Sequence, residues 1–117
     1  MQDRRKTPRK LSDEIIDVFD TNRQQPLGRL VNLTTEGMML VTTGENAPDG
    51  IFQVEMVLER PHNGRDRVSM GIESLWSTPG NAPDVRWTGF RIIDLSLEAQ
   101  EFVEDLIREW RTDFERP

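Results

Sequence analysis

The sequence predicts a mainly β fold, an antiparallel barrel or sandwich of about six short strands followed by one C-terminal α-helix. Three observations carry this expectation. Turn-forming residues recur at short intervals, at Pro26 to Gly28, Gly44 to Gly50, Pro61 to Gly64 and Pro79 to Pro83. The runs between them are β-branched, aromatic or alternating apolar and polar, and none has helical spacing. After Asp94 the apolar period changes from two residues to that of a helix.

Each element has its own signal. Ile15 to Phe19 is rich in β-branched and aromatic side chains, which suit a pleated, half-buried surface. Leu30 to Leu33 and Met38 to Thr43 flank a tight turn. Phe52, Val54, Met56 and Leu58 alternate with Gln53 and Glu55, so one face points inward. Val68, Met70 and Ile72 repeat that alternation ahead of Leu75 and Trp76. Val85 to Ile93 supplies the last strand. Trp76 and Trp87 read as core or barrel-wall residues, and His62, in the Pro61 to Gly64 turn, as an exposed loop residue.

The helix is expected over about residues 97–112. Ser96 is the N-cap and Glu98 stands in the first turn, near the positive end of the helix dipole. Phe102, Val103, Leu106, Ile107 and Trp110 fall on one face, which packs on the core. A dimer interface is the alternative for this face, with Trp110 and Phe114 left for the partner. Glu104 and Arg108 form an i,i+4 pair in the favourable order.

A length of 117 residues fits one domain. There is no cysteine, which rules out disulfides and thiolate metal sites and fits a cytoplasmic location. The start, Met1 to Lys10, is charged and lacks the apolar stretch of a secretory signal. No apolar run approaches the ~20 residues that span a bilayer. The net charge is −6, unevenly spread. Residues 1–10 carry Arg4, Arg5, Lys6, Arg9 and Lys10 against Asp3, a net +4, and residues 11–117 carry −10. Such an acidic body repels a long nucleic acid, whereas the basic segment suits a small anion. One histidine, no cysteine and scattered carboxylates leave no nucleophile–base pair or metal-ligand spacing, so no enzyme activity is expected.

Two elements carry chemistry. Arg5-Lys6-Thr7-Pro8-Arg9 is an R-x-x-x-R spacing just before the first strand, and Asn32-Leu33-Thr34-Thr35-Glu36-Gly37 is an N-x-T-x-x-G spacing at a strand–turn–strand junction. Taken singly, the first is a solvated basic tail and the second a hairpin turn. In their order and spacing they resemble the PilZ family, which carries R-x-x-x-R near its N-terminus and [D/N]-x-S-x-x-G some twenty to thirty residues later. Gly28 to Leu33 looks like that family's strand entering the second motif, and Thr88 to Ile92 like its closing strand. Trp76 stands where the family often has an aromatic residue, and the C-terminal helix follows. The resemblance covers nearly the whole chain. Thr34 replaces the usual serine, and Glu36 stands where many members have glycine.

The resemblance implies a six-stranded antiparallel β-barrel over residues 11–117, with residues 1–10 as a basic ligand-binding segment. It implies a bacterial, cytoplasmic receptor for the second messenger cyclic di-GMP, with no other cofactor and no metal. Arg5, Arg9, Asn32, Thr34 and Gly37 would bind the nucleotide, with Arg4 as a further candidate. Residue chemistry agrees. An arginine fork suits phosphate oxygens and the O6/N7 edge of guanine, and its plane stacks on a base. Pro8 biases Thr7 toward extended geometry. Asn32 accepts from the guanine Watson–Crick edge, Thr34 adds a hydroxyl, and Gly37 permits a close approach that a Cβ forbids. Ligand would order the N-terminal segment, and a downstream protein would read the change, with the chain a monomer or homodimer. The alternative is a PilZ-like adaptor that acts by protein contact without nucleotide.

Overall fold

The computed structural model describes residues 10–11, 14–44 and 46–114, with side chains over 14–44 and 46–110. Arg4, Arg5 and Arg9 lie outside the described residues. The strands are β1 (Lys10–Leu11), β2 (Ile16–Asp20), β3 (Gln25–Leu33), β4 (Gly37–Thr43), β5 (Ile51–His62), β6 (Arg65–Pro79) and β7 (Val85–Asp94), and the helix is α1 (Leu97–Phe114). All pairings are antiparallel. The order β3-β2-β5-β6-β7-β4 returns to β3 and closes a six-stranded barrel. The two-residue β1 is an addition on β3.

Alternation fills the barrel. Met38 and Leu40, then Phe52, Val54, Met56 and Leu58, then Val68, Met70 and Ile72 are buried, with more exposed neighbours between most of them. Phe52 and Phe90 meet edge to face, with ring centroids 6.0 Å apart. The inner face of α1 completes the core with Ala99, Phe102, Val103, Leu106, Ile107 and Trp110. Trp110 is 3% exposed, so it belongs to this core and is not left for a partner. Ser96 caps the helix as expected, its Oγ accepting from Ala99 N at 3.0 Å. Arg108 pairs with Asp105, one turn back, and not with Glu104.

Several connections differ from the sequence expectation. Pro26 to Gly28 is not a turn but part of β3. The β2–β3 turn lies at residues 21–24, where buried Asp20 accepts from Asn22 N and Arg23 N, each at 3.1 Å, and Gln24 takes a φ of 58°. Proline is tolerated at position 26 because the pairing slips there, with Leu27 as the extra residue of a β-bulge. The turn between β5 and β6 is only Asn63-Gly64, both at positive φ (52° and 77°), as a two-residue hairpin requires. His62 is therefore a strand residue, its side chain only 16% exposed.

Candidate functional site

Asn32 owes its direction to a bulge. Leu30 pairs with Leu40 and Asn32 with Met39, so Val31 is an extra residue in β3. Without it, Asn32 would share the inward face of Leu30, because side chains alternate along a strand. The one-residue slip turns Asn32 to the outer wall and Leu33 inward opposite Met38. Asn32 is 7% exposed as a whole residue, and no hydrogen bond of its side chain is found among the described residues. Its amide atoms are not sealed from solvent, so the side chain stands open on the outer wall beside the turn.

Thr34 and Gly37 have defined roles in the turn itself. Thr34 Oγ1 accepts from Glu36 N and Gly37 N, each at 3.0 Å, while Thr34 N donates to Gly37 O at 2.9 Å. The hydroxyl thus shapes the hairpin that presents Asn32. Gly37 is required by the neighbouring strand, since a Cβ there would stand 2.5 Å from Phe90 O. Thr34→Val is expected to cost about 1–2 kcal/mol of stability by leaving two amides without their acceptor, and Thr34→Ser under about 0.5 kcal/mol. Urea midpoints measure the difference, and a parent-like Thr34→Val would show that the hydroxyl does not hold the turn.

The strand ladder builds the surroundings. Outward from Asn32 run Met39, Gly89 and Trp76, aligned across β4, β7 and β6. Trp76 lies against Gly89 and is 43% exposed, so it is an outer-wall residue. Arg91, opposite Gly37, places a guanidinium on the same wall beside Glu73, at 2.5 Å. A shallow apolar groove crosses β3 and β4 over Leu27, Val31 and Val41, with the Asp17–Arg29 pair at its rim. The resemblance touched Trp76 and the strand that holds Arg91 without giving either a site role, and it is their outward phase in the ladder that puts both on this wall. No group of metal-ligating side chains occurs among the described residues. No described helix is long and apolar enough to cross a membrane.

Neither a family model nor a curated protein matches the chain by sequence. Solved structures do match. The PilZ domain with c-di-GMP of YcgR from Escherichia coli superposes with a TM-score of 0.71 at 14% identity, over 96% of this chain and 95% of that one. The Bacillus subtilis inhibitor of motility MotI/DgrA gives a TM-score of 0.71 at 12% identity, over 98% of this chain and 54% of its own. The chain thus spans about half of that second protein. At these identities the likeness establishes the fold, which is that of a PilZ domain.

Proposed function

We propose that this chain is a PilZ-family receptor for cyclic di-GMP and not an enzyme. The pairing of β1 with β3 carries the reading. Lys10 stands opposite Leu33 and Leu11 opposite Asn32, so the basic segment joins the barrel beside the N-x-T-x-x-G hairpin. Consecutive Cα atoms are about 3.8 Å apart, which tethers Arg9 to that point and keeps Arg5 within a few residues' reach. The arginines supply forks for phosphate and guanine, with Arg4 outside the four-residue spacing. Asn32 supplies a base-edge acceptor, and Thr34 and Gly37 hold the turn that presents it. Ligand neutralises a segment with little apolar surface to bury, and its ordering gives another protein a changed surface to read. Glu36, exposed in the motif turn, is the feature that favours the nucleotide-independent adaptor instead.

Calorimetric titration with cyclic di-GMP and cyclic di-AMP tests the reading. The two ligands share their phosphates, so only base edges distinguish them. Guanine offers O6 and N7 as paired acceptors, whereas adenine replaces O6 with an amino donor and would face an arginine donor with another donor. Cyclic di-GMP is expected to bind about tenfold to a hundredfold more tightly, and Asn32→Ala to narrow the gap without loss of stability. Equal affinity for both would remove the guanine-recognition roles. Absence of binding would leave the adaptor.

A further inference from the structure

Exposed apolar side chains are concentrated on one wall of the barrel. Six large hydrophobic residues are exposed among the described residues, and four of them, Ile51, Leu75, Trp76 and Ile93, lie on the outer face of β5, β6 and β7. Their contiguity follows from the register. Ile51 of β5 stands opposite Glu73 of β6, and Glu73 stands opposite Arg91 of β7. Leu75 and Trp76 come just after Glu73 along β6. Ile93, the extra residue of a bulge in β7, lies to the other side, its Cγ1 3.7 Å from where a Cβ on Gly71 would stand. The four therefore surround one ion pair on three sides, Arg91 with Glu73 at 2.5 Å.

Exposed hydrophobic residues scattered singly are ordinary, but a contiguous group around a polar centre marks an interaction surface. The charges say what kind of partner it fits. A partner of one sign would be met by a wall of the opposite sign. This wall instead carries one cation and one anion side by side on neighbouring strands. Such a pair is its own complement under a two-fold axis. An axis lying between β6 and β7, and parallel to them, sets Arg91 of each copy against Glu73 of the other, as an isologous interface requires. Residues 11–117 carry a net −10, so two copies repel over most of their surface and meet most easily where the facing charges cancel.

We propose that the outer wall of β5, β6 and β7 is a homodimer interface, in which Ile51, Leu75, Trp76 and Ile93 pack around two reciprocal Arg91–Glu73 pairs. Closing the wall withdraws the apolar side chains from water and turns an exposed ion pair into a shielded cluster of four charges. In the single chain that pair, with side chains 59% and 35% exposed, adds little to stability. In the dimer it selects the partner and fixes the register. The interface adjoins the motif hairpin, because Arg91 stands opposite Gly37, but its formation does not depend on nucleotide.

Sedimentation equilibrium of the full chain without nucleotide, over a range of concentrations, tests the interface. The parent is expected to dimerise reversibly. Leu75→Ser, at an exposed position, should weaken the dimer about tenfold or more. Arg91→Glu and Glu73→Arg should each be monomeric, because each sets like charges face to face. Mixed in equal amounts, these two variants should form a heterodimer, since one then brings only acidic and the other only basic groups to the centre. A merely intrachain role of the pair would not produce that recovery, and melting curves confirm that each variant is folded. A parent that stays monomeric at every concentration would overturn the proposal and leave the wall to a different protein. Single charge reversals that dimerise like the parent, or a mixture of the two that stays monomeric, would overturn it as well.

Discussion

Arg5→Ala and Arg9→Ala are each expected to weaken cyclic di-GMP binding about tenfold to a hundredfold while leaving the thermal midpoint of the free protein unchanged. A hydrogen bond to a charged group is worth roughly 1.5–3 kcal/mol, and losing one guanidinium fork removes at least one such contact. The arginines precede β1 in sequence, and charged side chains are rarely core residues, so folding should not feel their loss. Arg4→Ala should cost less, because it lies outside the four-residue spacing. Calorimetry measures the affinities and a melting curve the fold. Parent-like binding by both alanine variants would mean that the basic segment does not form the site.

Leu106→Ala should destabilise the whole protein by about 2–5 kcal/mol, the usual cost of emptying a well-packed leucine site. Leu106 is completely buried, on the helix face that supplies six of the twenty buried apolar residues in the described core. The helix is therefore structural, and barrel and helix signals should vanish in a single urea transition at a lower midpoint. Arg108→Ala, on the opposite and exposed face, should stay within about 0.5 kcal/mol of the parent. Should Leu106→Ala unfold at the parent's midpoint, α1 would have to be an appendage that the barrel does not need.

What could be read from the chain alone was whatever repeats within a few residues. The alternation from Phe52 to Leu58, the stripe from Phe102 to Trp110 and the Ser96 cap are local periodicities, and each stands in the structure as the residues imply. The N-x-T-x-x-G turn was likewise legible, because turn chemistry depends on neighbours in sequence. The hairpin at Thr34 to Gly37 is present with its hydroxyl–amide bonds.

Tertiary structure decided what a period cannot carry across an irregularity. One extra residue in a strand reverses the face of everything beyond it. The bulge at Val31 sends Asn32 to the outer wall, and the bulge at Leu75 does the same for Trp76, which the phase of Val68, Met70 and Ile72 would have placed inside. Pro26 and Gly28 read as a turn because their chemistry is that of turns, but pairing with β2 and β4 holds them in a strand. His62 read as a loop residue because its neighbours are Pro61, Asn63 and Gly64. Its two carboxylates come from positions 14 and 109, and only closure of the barrel and docking of α1 bring them to one ring. Local preference thus specified the elements and the motif residues, while long-range pairing chose their faces, because a side chain's face depends on register and register is set between strands distant in sequence.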